Sequence, residues 1–411
     1  MIRLPAILER HGSRVLFLGE GIQVTYAQFG RMIREAGAEW TGSDRPLALR
    51  LEWNPESFAR LLACFEIRRD VFLGDPLPAG DLQPFRAHRP LLLLRTGGTT
   101  GAPRHVVHSA ERLLCSYQLQ DRPPVRILVL YAAPHIAGLD AFFQALHRGS
   151  TLVVPPGRDP QSVAHAIEHY QAEVLPATPT FLQFLLLSGS LDGRKVGSVR
   201  AIPHGAEPMP PALRQRLKIV FPHARLIHRF GLTELGALPV KPDPEDPDAL
   251  FLEEARHAWE IRDGELWIQS PTRMLGTLEE GALGEESSWH ATGDLAEETR
   301  RGSIRILGRR EAMINVGGEK ILPETVEGLL LEQEGVRDAA VHGAPNPLTG
   351  QAVVARVVYA GEPDPTGLLR ALRRAVRERG LSLAHVPTRI EPAQTLLKTP
   401  MGKRSRVQGK A

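Results

Sequence analysis

Apolar residues along this chain recur with two periods. Between about residues 90 and 300, short apolar runs alternate with segments whose apolar positions return every three to four residues. Leu91–Leu94, Ile127–Leu130, Thr151–Val154, Val199–Ile202 and Arg225–His228 are too short for helices and predict buried strands. Gln161–Ala172 predicts a helix with Val163, Ala166, Ile167 and Tyr170 on one face. Thr178–Leu187, just after Val174-Leu175, is apolar on most sides and predicts a buried helix, and Pro211–Val220 predicts a third. Such alternation with short connections predicts an α/β fold on a largely parallel, doubly wound sheet. Ligands of these sheets gather where loops leave the carboxyl ends of the strands.

The pattern breaks at Lys241–Asp248, whose prolines and acidic residues predict a solvated loop. Gly264–Ile268 and Ser303–Ile306 then predict hairpin-like strands. From near Gly308 the chain predicts a helix over Glu324–Glu332, strands over Ala339–His342 and Ala352–Tyr359, and a helix over Thr366–Arg379. That is a small α+β unit of about 100 residues. The expected division is therefore 1–308 and 309–411. No internal repeat is visible.

Composition narrows the classes. The 411 residues are 42% hydrophobic and 24% charged, with 50 basic against 47 acidic side chains, so no basic block implies nucleic acid. Cys64 and Cys115 are the only cysteines, which excludes a disulfide scaffold and a four-thiolate zinc site. No apolar run reaches the roughly 20 residues of a membrane span, and Met1–Pro5 lacks the apolar stretch of a secretion signal. The expectation is a soluble, cytoplasmic protein.

Candidate chemistry begins where Leu91–Leu94 empties into Thr96-Gly97-Gly98-Thr99-Thr100-Gly101-Ala102-Pro103-Arg104. Glycines let the backbone approach an anion, consecutive N–H groups form a nest, and threonine hydroxyls add donors. Arg104 brings a planar cationic fork suited to phosphate oxygens. GxxxxGK[ST] is absent, so this is not a Walker loop. Phe230-Gly231-Leu232-Thr233-Glu234 follows a predicted strand. It offers an aromatic face for a base and a hydroxyl–carboxylate pair suited to phosphate and Mg²⁺. In Thr292-Gly293-Asp294 a short carboxylate after a glycine turn suits a ribose diol. Each motif alone has a commoner, purely structural meaning as a turn.

In this order the motifs resemble the adenylate-forming superfamily of acyl-CoA synthetases, aryl-CoA ligases, peptide-synthetase adenylation domains and luciferase-like enzymes. The family's phosphate loop resembles Thr96–Arg104, its "YGxTE" Phe230–Glu234 and its "TGD" Thr292–Asp294. GRREAMINVGGEKILPETVE, from Gly308 to Glu327, resembles "GRxxxxIxxxGxKIxPxEVE", and Thr399–Lys403 resembles "PxxGK". Val24–Phe29 and Pro134–Gly138 resemble "lTYaeL" and "PxxHxxG", so the likeness runs through nearly the whole chain.

The resemblance implies a large N-terminal domain of doubly wound sheets with a small β-barrel-like subdomain, and a mobile C-terminal domain. It implies that Thr96, Gly97, Gly98, Thr99, Thr100 and Gly101 hold the ATP β,γ-phosphates, while Thr233 meets the α-phosphate and Glu234 binds Mg²⁺. Phe230 and Gly231 would meet adenine, with Gly205, Ala206 and Glu207 lining its other side. Asp294 would hold the ribose beside Arg309. Lys403 would bridge carboxylate and α-phosphate and then leave as the C-terminal domain swings about Glu311. Gly317 and Gly318 would line the path of a thiol arm, and His135 with Gly138 would gate it. Two anions must meet in acyl activation, so a lysine and Mg²⁺ at the α-phosphate are chemically apt.

Four departures stand out. The phosphate loop ends in Arg104-His105 where Lys-Gly is usual, Phe230 replaces tyrosine, Glu311 replaces Asp or Lys, and the loop arrives early in the chain. The last predicts a trimmed N-terminal region. Ile136 stands where amino-acid-activating relatives carry Asp, and an unpaired ammonium there would cost several kcal/mol. The expected substrate is therefore a non-amino carboxylic acid, aryl or fatty, in an apolar pocket that includes Ile136, Gly138 and Gly236. CoA is the expected thiol. A carrier-protein phosphopantetheine is the alternative; Arg370, Arg373, Arg374, Arg377 and Arg379 on one helix form a solvated face or, on a sharper reading, a site for CoA phosphates or an acidic carrier protein. A non-catalytic nucleotide-binding relative is the second alternative.

Overall fold

Short, β-rich segments with one apolar run each assemble into three larger sheets and one two-stranded hairpin before residue 310. In the computed structural model, residues 4–39, 45–96, 104–253, 255–282 and 288–396 are described. Val15–Gly19 pairs antiparallel with Ile22–Thr25 and parallel with Thr151–Val154, which in turn lies parallel to Arg126–Leu128. Val174 bridges Ile127 and Ala201, carrying the sheet across to the parallel strands Ala201–His204 and Arg225–His228. Helices follow these strands with defined starts. The Asp159 carboxylate caps Pro160–Tyr170 and the Thr178 hydroxyl caps Pro179–Leu187, each supplying an acceptor for an otherwise orphaned N–H.

The second sheet has six strands, in the order Gly281–Ala282, Gly276–Thr277, His105–Ser109, Leu91–Arg95, Val71–Phe72 and Leu47–Ala48. Leu91–Leu94 is buried on both faces, as a four-residue apolar run requires. It runs antiparallel to His105–Ser109, so the Gly/Thr-rich segment joins two strands of a hairpin. The last three strands are parallel to one another. Packing between the first two sheets centres on aromatic rings: Phe58 stacks on Phe142 at 4.2 Å between centroids, with Phe17 and Phe29 alongside.

Six antiparallel strands form a half-barrel, in the order Val240–Pro242, Ala249–Leu252, Ile304–Arg309, Trp289–Glu298, Glu265–Gln269 and Ala258–Arg262. The predicted strands at 264–268 and 303–306 both lie here, in separate hairpins. After it come Ile314–Val316, Glu319–Ile321, Val336–Asn346, Gly350–Tyr359 and Arg389–Pro392, a five-stranded sheet. Helices Pro323–Leu331 and Pro365–Glu378 contribute Val326, Leu330, Leu372 and Val376 to its core. Among the described residues no helix is long and apolar enough to cross a membrane.

Candidate active site

Thr96 and Arg104 close the neck of the Gly/Thr-rich loop. Thr96 N–H donates to Arg104 O at 2.9 Å and Arg104 N–H to Thr96 Oγ1 at 3.2 Å. Gly97, Gly98, Thr99, Thr100, Gly101 and Lys403 lie outside the described residues. The Arg104 guanidinium sits 3.3 Å from Glu280, an exposed pair that stabilises by less than about 1 kcal/mol. Next along the strand, His105 Nδ1 lies 2.7 Å from Glu279, whose carboxylate also accepts the His105 N–H.

Phe230–Glu234 lies in a tight hairpin in which Gly231–Leu232 pairs with Gly236–Ala237. A side chain at Gly231 would lie 2.8 Å from Gly236 O, and Gly236 itself has φ +77°, so both positions require glycine. Three consecutive carbonyls of this turn are captured from outside it. His108 Nε2 lies 2.7 Å from Thr233 O, Met274 N–H donates to Glu234 O at 2.7 Å, and Thr272 Oγ1–H donates to Leu235 O at 2.5 Å. With its backbone fixed three times over, the turn holds the half-buried Thr233 and Glu234 side chains in set directions. His108 is 1% exposed, and burial pushes its imidazole down to about 4. It is therefore neutral at pH 7 and carries its proton on Nε2, the nitrogen facing the carbonyl. No local sequence signal reveals this contact, which spans 125 residues.

Gly205-Ala206-Glu207 faces the start of the same turn. A Cβ on Gly205 would come within 2.3 Å of Arg229 O, so only glycine lets the two strand ends lie this close. Ala206 adopts φ +70°, a left-handed conformation costing about 1 kcal/mol or more for a residue with a Cβ. Glu207 Oε1 accepts the Thr180 N–H at 2.8 Å. Beneath them His204 and His228 stack with centroids 5.5 Å apart and planes 6° from parallel. Burial lowers both imidazoles, His204 to about 3.

Asp294 is buried and pairs with Arg309 across the hairpin, Oδ1 to Nε at 3.0 Å, while Arg309 Nη1 also donates to Thr292 O at 2.9 Å. Glu311 lies in the short 3₁₀ turn Arg310–Ala312 that leads to the last sheet. Gly317 and Gly318 form a hairpin turn at φ +60° and +96°. A Cβ on Gly318 would meet nothing within 4 Å, so backbone conformation, rather than crowding, explains that glycine.

Ile136, Gly138 and Gly236, the expected acyl-pocket residues, are all buried. His135 Nδ1 accepts the Ala137 N–H at 3.3 Å and so caps the Ile136–Arg148 helix. This start sets Ile136 into the core and presses Gly138 against the preceding turn, where a Cβ would lie 2.2 Å from Ala132 O. A Cβ on Gly236 would lie 2.9 Å from Leu113 Cδ1. Polar residues instead meet the strand end at Arg229. Asp140 lies 3.5 Å from the Arg229 guanidinium and accepts the Tyr117 hydroxyl at 2.8 Å.

The turn presents one half-buried carboxylate, Glu234. Among the described residues no group of three or more His, Cys, Asp or Glu could hold a metal alone. That donor set fits Mg²⁺, which keeps water and substrate phosphates as most of its ligands.

Residues 73–250 match the AMP-binding enzyme family and residues 325–403 the AMP-binding enzyme C-terminal domain. A long-chain-fatty-acid–CoA ligase of Bacillus subtilis is 28% identical over 345 residues, 77% of this chain and 60% of that protein. A 2-succinylbenzoate–CoA ligase of Listeria monocytogenes is 28% identical over 342 residues, 78% of this chain and 70% of that protein. The matched stretch thus spans about three fifths of the Bacillus relative's length. The fold matches the crystal structure of an anthranilate CoA ligase with anthranoyl-AMP at a TM-score of 0.82 and 18% identity, covering 98% of this chain and 95% of that one. It also matches o-succinylbenzoate CoA synthetase from Bacillus subtilis with its acyl-adenylate at 0.79 and 22%, covering 99% and 97%. Profile, relatives and architecture agree on one lineage, and the chain belongs to the AMP-binding, adenylate-forming enzyme superfamily.

Proposed function

We propose that this protein activates a carboxylic acid lacking an α-amino group with Mg·ATP and passes the acyl group to the thiol of CoA. The observation that carries this reading is the Thr233–Glu234 turn, clamped through three carbonyls. It is what a site needs to oppose two anions in one fixed geometry. A carboxylate oxygen of the acid attacks the α-phosphorus, the bond to the β-phosphate oxygen breaks, and pyrophosphate leaves. The thiolate then attacks the acyl carbon, and AMP leaves.

In this scheme the Thr233 hydroxyl donates to the α-phosphate, Phe230 offers its ring to adenine, and Gly205, Ala206 and Glu207 form the facing wall. Asp294, held by Arg309, accepts the ribose hydroxyls. Glu234 would hold Mg²⁺, which supplies charge neutralisation at the phosphates when bound. The Thr96–Gly101 loop and Lys403 are assigned phosphate and carboxylate contacts from their motifs alone. We assign the units 1–308 and 309–411, with Glu311 as hinge, and Gly317 and Gly318 beside the thiol arm.

A second reading has its own support. The outer face of the Pro365–Glu378 helix exposes Arg370, Arg373, Arg374 and Arg377, a surface complementary to an acidic carrier protein bearing phosphopantetheine. Acid-dependent pyrophosphate release from Mg·ATP, with and without CoA, tests both. Continuous turnover only with CoA supports a CoA ligase. A single stoichiometric burst indifferent to CoA supports the carrier protein, and no release with any acid defeats both.

A further inference from the structure

The Ile136–Arg148 helix packs against the Gly231–Ala237 hairpin, so a substrate whose carboxylate meets Thr233 has this helix as its next wall. That wall is polar where it approaches Arg229. Asp140 takes the Tyr117 hydroxyl on one oxygen and lies 3.5 Å from Arg229 Nη2 through the other. Both charged groups remain partly open, the Asp140 side chain at 18% and Arg229 at 36% exposure. Glu207, on the neighbouring Gly205–Glu207 segment, has one oxygen engaged by the Thr180 N–H. The Tyr131 hydroxyl makes no hydrogen bond among the described residues, although the charges of Glu207, Asp140 and Arg229 all bear on it.

The second Glu207 oxygen and the Tyr131 hydroxyl give this corner polar groups with no protein partner among the described residues, beside the Arg229 and Arg158 guanidinium groups and the Asp140 carboxylate. A hydrocarbon placed here would strip water from Asp140, Glu207 and the Tyr131 hydroxyl and return nothing, a loss for each group. A neutral or cationic group bearing N–H or O–H would satisfy the acceptors and leave the ion pair intact. On the adenylating function proposed above, we infer that the activated acid carries a hydrogen-bond-donating substituent, hydroxyl or amino, on the part of the molecule remote from its carboxylate.

Matched acids test this in the full-length protein: benzoate against 3-hydroxy-, 4-hydroxy- and 4-aminobenzoate, and hexanoate against 6-hydroxyhexanoate. Two readouts are taken, calorimetric binding of the acid and kcat/KM for pyrophosphate release. The best substituted acid is expected to exceed its plain partner by at least about tenfold in wild type. The ratio should fall severalfold in Tyr131→Phe, which removes only the free hydroxyl, and further in Asp140→Asn. A plain acid that binds as well as its best substituted partner overturns the inference, as does a ratio unmoved in both variants. Absence of binding by every acid also overturns it. Preferential binding of substituted acids without any pyrophosphate release would remove the adenylating function and leave the acid class standing.

Discussion

His108→Leu separates the clamp on the Thr233–Glu234 turn from the packing around it. Leucine fills most of the imidazole's space in a site 1% exposed but cannot donate, so the Thr233 carbonyl loses the donor at 2.7 Å. An unsatisfied buried carbonyl costs about 1–3 kcal/mol. The turn can recover part of that by rotating the peptide, which swings the Thr233 hydroxyl and the Glu234 carboxylate off their directions. If ~2 kcal/mol of transition-state stabilisation is lost, kcat/KM for Mg·ATP falls about thirtyfold. Pyrophosphate release with Mg·ATP varied, beside urea denaturation of the same samples, reads both consequences. The expected pattern is a drop in kcat/KM for Mg·ATP that is larger than the loss of global stability implies. His108→Gln, which keeps an N–H donor of similar reach, should regain part of it. A folded His108→Leu protein within twofold of wild type in kcat/KM for Mg·ATP would refute the clamp.

Gly205→Ala should lower the unfolding free energy by more than about 2 kcal/mol, because its Cβ meets backbone 2.3 Å away that cannot yield without parting two strands. Gly318→Ala should cost only about 1 kcal/mol, since its penalty is conformational; equal losses in the two variants would contradict this contrast. Glu234→Gln should raise the Mg²⁺ concentration for half-maximal pyrophosphate release about tenfold or more while nucleotide still binds without metal; an unchanged Mg²⁺ dependence argues against Glu234 as ligand. Burial holds His108, His204, His228 and His147 neutral and below the usual histidine range. The unfolded chain therefore takes up protons first, and the stability these groups contribute is complete above pH 6.5 and is lost as pH falls through 6.5 toward 4. A thermal midpoint that stays level from pH 7.5 to 5 would show that they do not titrate this way.

Local periodicity located most elements because each carries its own apolar run. The helix foreseen at Thr366–Arg379 spans Pro365–Glu378, and Leu91–Leu94 lies in a buried strand. The strand foreseen at Val199–Ile202 starts two residues later, at Ala201, since strand ends depend on the neighbour's register. The motif order marked the Phe230 turn, but its clamps come from residues 108, 272 and 274, joined to it only by folding. Helix geometry sets how the expected pocket residues are presented. Ile136 through Leu139 look like one apolar surface in sequence, but they begin a helix, where successive side chains diverge by about 100°. Ile136, Gly138 and Leu139 turn to the core, and Asp140 and Gln144, one turn apart, come round at the margin of that face.

One long-range contact bears on the energetics of rearrangement. Gln183, 3% exposed on the Pro179–Leu187 helix, donates its Nε2–H to Arg337 O at 2.6 Å, where the Val336–Asn346 strand begins. If the C-terminal unit turns about Glu311 as proposed, that bond breaks and a buried amide must find water. Each kcal/mol of that cost shifts the resting population about fivefold toward the arrangement seen here. On that proposal Gln183 would act as a set point. Weakening it would enlarge the fraction already rotated before any substrate arrives, and would tighten the apparent affinity for whichever ligand selects the rotated form by the same factor.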